Sequence, residues 1–452
     1  MKYDVAIIGA GTGGATTAIA LEKSGLHLVL VDYKKKERIG DKVCGDATSP
    51  SYFKRIRKMG VDLKDPVVGK EIDRLVTGFL FVPPRYENRL EFNSTTDGWI
   101  INRHAFGQRL VNEAIDKGAE LLDECKVLSP IVENNALTGV NVRYKGEKKV
   151  IKANVLVDAS GVNSVIRRQL DPRKTFMEST LNDKDVCFAY REIRELGEGI
   201  ELEYPDYLYL YFDTDKAPGG YFWMFPKERN VVNIGLGVHL GQDQPPNIKE
   251  LFERAINDIP SLKGSKTITA GSWKVPLRRP IDTCVWNGLL LVGDAGSQVK
   301  PTDGGGIGIS MEAGAFAAKA IKIAHDEGDF SRDHLWSYNV ETMHHIGAVN
   351  GPLELGKRVV IGLTSKQIQE IFESGILQAD DLYKLNAGIG LTYGKIEMMK
   401  RVWKGKKLLG FLLKLNGIIK RMEKAKNLYL NYPESFDSGF VEWKKQIEKI
   451  YQ

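Results

Sequence analysis

Apolar runs, polar breaks and glycine clusters divide this chain into recognisable pieces. Residues 4 to 9 (DVAIIG) form a short continuous apolar run, the pattern of a strand buried on both faces. Ala15 to Lys23 reads as the start of a helix, and a second apolar run, Leu28 to Val31, ends on Asp32. Residues 288 to 296 (GLLLVGDAG) repeat the buried-strand signal and lead into small and apolar residues through Ala320 that predict a helix. Between these pieces, residues 200 to 240 alternate. Tyr207, Tyr209 and Tyr211 interleave with Leu208, Leu210 and Phe212, the period of two expected of a sheet. In the next run, GGYFWMFPKE, Tyr221, Trp223 and Phe225 share one face while Phe222 and Met224 take the other. Such a row of rings is either plain core or the wall of a cavity for an apolar ligand.

The glycines supply the first chemistry. Gly9-Ala10-Gly11-Thr12-Gly13-Gly14 is a GxGxxG set between the first strand and its helix. It permits a tight turn and lets the backbone approach a pyrophosphate at the helix N-terminus, while Asp32 is placed to accept from a ribose hydroxyl. That pattern suits NAD and FAD alike. The second piece favours FAD: Asp294 at the end of a strand suits a ribityl chain, and Gly304-Gly305-Gly306-Ile307-Gly308 opens a helix whose N-terminus would stabilise negative charge on a reduced flavin.

Bulk properties narrow the setting. With 452 residues and 42% hydrophobic content, the chain can bury a sizeable core in two or three lobes. Its opening lacks the pattern of a secretory signal, and no apolar stretch reaches the roughly 18 residues of a spanning helix. Cys44, Cys125, Cys187 and Cys284 are scattered without a CxxC pair, as expected of reduced cytoplasmic thiols. The net charge of +6 is modest and does not call for nucleic acid. It is uneven, however: from Lys395 to Lys426 basic side chains meet only Glu397 and Glu423, and Leu408, Leu412, Leu415, Ile419 and Met422 recur at helical spacing. Such a segment either packs on the protein with a solvated basic face or lies on an anionic membrane surface. His344 and His345 are adjacent and would diverge on a helix, so no metal is expected there.

Taken together, the N-terminal fingerprint, Arg103 in INRHAFGQRL, and LLLVGDAGSQVKPTDGGGIGIS resemble the flavoproteins of the p-hydroxybenzoate hydroxylase fold. KVCGDA (Lys42 to Ala47) is similar to the K-x-C-G loop of the geranylgeranyl reductases, and PGGYFWMFP (Pro218 to Pro226) matches that family's P-x-x-Y-x-W-x-F-P at every fixed position. Within the family the chain looks most like the archaeal digeranylgeranylglycerophospholipid reductases, which saturate the isoprenoid chains of ether lipids. The resemblance is strong over about the first 330 residues and general beyond them. It implies FAD as cofactor, with Gly9, Gly11, Gly14 and Ala15 around the pyrophosphate, Asp32 on the adenosine ribose and Val127 meeting the adenine through its backbone. Cys44, Gly45 and Ala47 would pass beside the ring system and Arg103 near the phosphates. Asp294 would hold the ribityl chain, and Gly306 and Ile307 the flavin pyrimidine.

The expected fold is mixed α/β: a Rossmann-like FAD domain from segments 1–80, 100–170 and 275–330, a substrate-binding sheet from 80–100 and 171–275, and a helical C-terminal region, 331–452. Tyr207, Tyr209, Tyr211, Pro218, Tyr221, Trp223, Phe225 and Pro226 are the candidate lipid-binding residues of a prenyl tunnel. Hydride would pass from reduced flavin N5 to one alkene carbon, and Tyr221, Cys44 or a trapped water would supply the proton. One motif departs from the hydroxylase pattern: Asp158-Ala159-Ser160-Gly161 stands where those enzymes carry an Asp-Gly pair serving flavin and NADPH. That leaves room for a protein electron donor such as ferredoxin. Rival readings are a flavin monooxygenase acting on an aromatic or quinone and a non-catalytic prenyl-lipid carrier.

Overall fold

The computed structural model describes residues 1–228, 230–241, 247–386 and 409–452. The apolar opening forms the strand Lys2–Ile8, which lies parallel between Glu147–Asp158 on one side and Leu28–Val31 on the other. Leu289–Leu291 and Glu120–Leu122 extend this parallel sheet outward, and a hairpin, Cys125–Glu133 with Ala136–Tyr144, joins Glu147–Asp158 in antiparallel sense. Val5, Ala6, Ile7, Val29 and Leu30 are fully buried because helices cover the sheet. Two of these, Thr12–Ala20 and Ile307–Glu327, carry the glycine-rich starts predicted to face a dinucleotide and pack on each other. Their approach is close: a Cβ at Gly314 would stand 2.6 Å from the carbonyl oxygen of Gly13.

A second, eight-stranded sheet runs in the order Lys266–Pro276, Val186–Glu195, Val231–His239, Phe222–Pro226, Tyr207–Tyr211, Ile72–Val82, Leu90–Ile101, Ala47–Thr48. Only the pairing of Tyr207–Tyr211 with Ile72–Val82 is parallel. The strand Ile72–Val82 belongs wholly to this sheet, so the expected boundary at residue 80 lies too late. Residues 72–76 pair with 98–101 and, after a register shift between Val76 and Gly78, residues 78–81 pair with 90–93, so the pairing runs unbroken across residue 80. Ala47–Thr48, inside the segment expected to hold flavin, also crosses into this sheet through Trp99 and Ile100.

Beyond Gly328 the described chain is helical. Its fastening to the cofactor domain is a buried charge cluster. Arg279 pairs with Asp282, and its backbone N–H donates to Glu354 Oε2 at 2.7 Å. Tyr432 donates to the Asp282 carbonyl at 2.8 Å. Burial alone would raise both carboxyls, but Arg279 outweighs it and holds Asp282 and Glu354 below the ordinary carboxylate range. The helix Leu409–Leu430 packs on Ala348–Ile361 through Ala425 and Tyr429. The Tyr429 ring fills the notch left by Gly347 and Gly351, which turns this face inward and leaves Ile419, expected on the apolar stripe, 36% exposed. Residues 395–408 of the basic segment lie outside the described residues, as does the Leu412 side chain.

Arg279→Met should lower the unfolding free energy by about 3 kcal/mol, because the buried Asp282 would lose its paired guanidinium and keep only Lys444 Nζ at 3.4 Å, while Glu354 would retain Arg358. Carboxyls held low in the fold stabilise it above their unfolded values and lose that contribution as pH falls. Urea unfolding across the acid range should therefore show a steeper loss on acidification for the wild type than for Arg279→Met; equal slopes would contradict the assignment.

Candidate functional site

At the nucleotide end, Gly9 has φ +106° and its α-carbon abuts the Ala159 carbonyl, while the α-carbon of Gly14 abuts the carbonyl of Gly9. A side chain at either would force the turn apart. Gly11 differs, since nothing lies within 4 Å of where its Cβ would stand, and the helix it caps has no side-chain cap. Asp32 binds the same turn by accepting from Ala10 N and Lys34 N, both at 2.9 Å. Its own carbonyl accepts from Cys125 N at 2.8 Å, which sets the strand bearing Val127 beside it. Arg103, 8% exposed at the start of the helix Arg103–Asp116, has a buried Nε with no acceptor among the described residues. A buried guanidinium nitrogen without an acceptor, an open Gly11 and an uncapped helix N-terminus together fit a pyrophosphate.

The flavin end is built by two loops. Asp294 follows the strand Leu289–Leu291; its Oδ1 lies 3.5 Å from the Cβ position of Gly306, and its Oδ2 accepts from Lys42 Nζ at 3.1 Å. Gly306 is the N-cap of Ile307–Glu327 and offers no side-chain cap, so the first N–H groups of that helix are free for a ligand. The Lys42–Ala47 turn crosses from here to the second sheet. A Cβ on Gly45 would stand 2.9 Å from the Phe225 ring and 3.7 Å from Trp223 Nε1. The rings of the signature strand thus lie directly against the turn expected beside the isoalloxazine. Cys44, half-buried, accepts from Asp46 N at its Sγ (3.3 Å). Asp158 faces inward, accepting from Ser164 Oγ at 2.8 Å and Ile166 N at 3.0 Å, and so closes its own loop.

The sheet's two faces separate the candidate lipid residues. Register pairs Leu210 with Trp223 and Tyr209 with Met224. Leu208, Leu210, Tyr221, Trp223 and Phe225 therefore form one cluster, and Tyr209, Tyr211, Phe222 and Met224 another, packed under the helix Ile248–Asn257. Tyr207, Tyr209 and Tyr211 lie on the face away from Gly45: Tyr207 donates to Asn93 and Tyr209 accepts from Tyr204 N at 2.8 Å. Pro226, opposite Val232, also faces away, and Pro218 caps the turn by accepting from His239 N at 3.1 Å. On the wall side the rings run in steps. Phe225 to Trp223 is 6.3 Å between centroids, Trp223 to Tyr221 6.1 Å, and Tyr221 to Phe212 6.4 Å. Phe212 then meets Phe81 at 6.3 Å and Phe372 at 6.4 Å, and Phe79 reaches Tyr383 at 6.0 Å. Phe79 and Phe81 escaped the sequence reading, and Leu210 and Phe212 entered it only as the alternating partners of the tyrosines. The Tyr221 hydroxyl donates to the Asp303 carbonyl at 2.7 Å, and burial, with Asp303 adding to it, pushes the phenol well above its ordinary value.

A cradle of this shape suits FAD, and the mixed α/β FAD-binding fold with its curled sheet and helical C-terminal region is like that of the p-hydroxybenzoate hydroxylase-fold flavoproteins. Residues 4–179 match the FAD-dependent oxidoreductase family and residues 183–275 the geranylgeranyl reductase catalytic domain. The digeranylgeranylglycerophospholipid reductase of Sulfolobus acidocaldarius is 35% identical, over 100% of this chain and 97% of that protein. The digeranylgeranylglycerophospholipid reductase 2 of Methanococcoides burtonii is 28% identical over 94% and 97% of the two chains. A solved geranylgeranyl bacteriochlorophyll reductase-like protein from Thermoplasma acidophilum superposes with a TM-score of 0.75 at 23% identity, covering 90% of this chain and 99% of that one. A flavin-dependent brominase, Bmp2, shares the fold at a TM-score of 0.63 and 17% identity, covering 92% of this chain and 100% of that one. The chain belongs to the geranylgeranyl reductase family of FAD-dependent oxidoreductases.

Gly11→Ala and Gly14→Ala separate ligand from fold. Gly14→Ala should destabilise the apoprotein by about 2 kcal/mol through overpacking. Gly11→Ala should leave its thermal midpoint unchanged yet lower the FAD retained on purification, read from flavin absorbance. Equal FAD content in Gly11→Ala and wild type would remove Gly11 from the phosphate site.

Proposed function

We propose that this protein uses FAD to hydrogenate the C=C bonds of geranylgeranyl chains on an archaeal ether glycerophospholipid. The observation that carries the reading is the ring-lined face that begins at Gly45 and continues through Trp223, Tyr221 and Phe212 to Tyr383. An isolated trisubstituted alkene has no carbonyl to polarise, so orientation has to come from the rest of the chain. Each buried CH2 contributes about 0.8 kcal/mol, and a C20 chain laid along this face therefore brings ample binding energy to align one double bond. FAD, held by Gly9 to Ala15, Asp32, Arg103, Asp294, Gly306 and Ile307, supplies the hydride when bound and reduced.

The protein's own part is to bind, orient and protonate. Leu208, Leu210, Phe212, Trp223 and Phe225 keep water from the alkene. Tyr221, with its hydrogen on the Asp303 carbonyl, holds the glycine loop to the wall and is a poor acid. Cys44 Sγ, on the turn beside the ring system, is the better-placed proton donor. The inward Asp158 loop supports an electron donor other than NADPH, an acidic carrier protein of the ferredoxin kind. Among the described residues no helix is long and apolar enough to cross a membrane. Lys420, Lys424 and Lys426 are exposed on Leu409–Leu430 and suit a loose contact with anionic lipid.

Anaerobic incubation of the dithionite-reduced protein with digeranylgeranylglyceryl phospholipid should give products heavier by successive pairs of hydrogens. An unchanged lipid mass would reject the reductase reading, oxygen-dependent hydroxylation would favour a monooxygenase, and a colourless preparation a lipid carrier. Leu210→Trp, which places bulk on the ring-lined face, should slow turnover by about tenfold to a hundredfold through misplacement of the alkene. Tyr209→Phe, on the opposite face, should leave turnover within about twofold of wild type by the same logic; the reverse pattern would mean the lipid uses the other face.

A further inference from the structure

Behind Cys44 lies a polar cluster in which Asn233 and Lys227, outside the flavin and lipid motifs, meet Asp46 and Trp223 within them. Asp46, 2% exposed, sits in the left-handed region at φ +66°, a conformation that a non-glycine residue keeps only when its surroundings fix it. Two side chains do so. Asn233 Nδ2 donates to Asp46 Oδ2 and to the Cys44 carbonyl, both at 2.8 Å, and Asn233 Oδ1 accepts from Trp223 Nε1 at 3.1 Å. Lys227 Nζ lies 3.2 Å from Asp46 Oδ2 and 2.7 Å from Asp73 Oδ2, and donates to the Ile101 carbonyl at 3.2 Å. Burial pulls the Lys227 ammonium down, but Asp46 and Asp73 outweigh it and keep it charged. Both Asn233 donors end on the Cys44–Asp46 turn, its Oδ1 takes the signature tryptophan, and Lys227 joins Asp46 to Asp73 and the Ile101 carbonyl.

We infer that Asn233 and Lys227 are positioning residues for Cys44: they lock the turn so that the Sγ and the neighbouring Gly45 backbone keep a fixed place against the Trp223–Phe225 wall. The inference rests on the reading that this turn runs beside the flavin. Its physical basis is the strained Asp46. Without the ammonium, a carboxylate is buried with one donor fewer, and relaxing φ toward the right-handed or extended region would swing Cys44, two residues earlier, away from the wall. Trp223 is tied to the same amide, so the lipid wall and the thiol are held by one group.

The thiol itself gives the readout. Cys44 is half-buried, whereas Cys125, Cys187 and Cys284 are buried, and burial pushes their thiols up to about 11, 12 and 12. Iodoacetamide should therefore label the folded holoenzyme at Cys44, with Cys44→Ser as the blank. Lys227→Met and Asn233→Leu should raise the labelling rate by about tenfold or more as the turn opens locally. Lys227→Arg, which keeps the charge, should restore most of the protection. The kcat for lipid reduction should fall with the change in labelling while KM moves little. Labelling rates within about twofold of wild type, in variants that merely melt earlier, would overturn the inference and assign the cluster a purely structural role. Should the first two variants fail to fold, Asn233→Asp decides: it keeps the shape but turns an acceptor toward the Asp46 carboxylate, and unchanged labelling there also overturns it. A failure of lipid reduction in every variant and the wild type, with the labelling pattern intact, would instead count against the lipid reading alone.

Discussion

The contact between Gly45 and the rings of Phe225 and Trp223 is the constraint on which this architecture turns. It is where the parallel-sheet half, built to cradle a dinucleotide, meets the antiparallel half, built to present an apolar wall. With a Cβ position 2.9 Å from the Phe225 ring, any larger residue at 45 would push turn and strand apart. The polar fastenings nearby presuppose that closeness. Asn233 reaches the Cys44 carbonyl, and Tyr221 the Asp303 carbonyl, only because the two halves touch. Chemistry on an alkene needs that tightness, since nothing in the substrate can be gripped by charge at the reacting carbons.

The turns and helix starts of the cofactor half were legible in the sequence because their constraints are local. Gly9, Gly11 and Gly14 act within one turn, Asp32 ends the next strand, and Gly306 starts a helix, so spacing along the chain is enough to place them. The aromatic half was legible in pattern and not in direction. Alternation separates Tyr209 from Leu210 correctly, but which set faces the cofactor turn depends on how Tyr207–Tyr211 registers against Phe222–Pro226, a long-range fact. The tyrosines, amphipathic and ring-bearing, read from sequence as ligand-binding residues; in the fold they face away from Gly45, and the hydroxyls of Tyr207 and Tyr209 bond to Asn93 and Tyr204. The boundary near residue 80 failed for a related reason, since Ile72–Val82 is continuous with its partners across the supposed division. Lys227 and Asn233 gave no signal at all: a lysine and an asparagine near a turn look like ordinary surface residues until the fold buries them against Asp46.

The helical region has a different relation to the site. Its charge cluster at Arg279, Asp282 and Glu354 fixes it to the cofactor domain, and its helices Ser365–Ser374 and Ala379–Asn386 bring Phe372 and Tyr383 over the far end of the ring row. A cluster of ions is a weak source of stability compared with a well-packed apolar contact of the same size. What it supplies here is direction: hydrogen bonds from Arg279 and Tyr432 admit one orientation of the helices, whereas apolar faces slide. A cover over a long lipid path has to be placed reproducibly, and directional bonds on the side away from the lipid do that without putting charge on the path.

The same reasoning explains why a wall so rich in polar atoms is nevertheless apolar. Tyr221 and Trp223 each carry a donor, and Asn233 pairs with Phe225 across the ladder. Left unpaired in a dry channel, each such group would cost about 1–3 kcal/mol, and would recruit water next to a bond awaiting hydride. In this fold the Tyr221 hydrogen goes to the Asp303 carbonyl, the Trp223 N–H to Asn233, and the Asn233 amide to Cys44 and Asp46. Two of these side chains, Tyr221 and Asn233, are spent on loops of the cofactor half, and the Trp223 donor on Asn233 itself, so none is left unpaired on this face. Satisfying the polar groups and keeping this face apolar are therefore one structural solution, and removing any of these donors' partners would disturb both together.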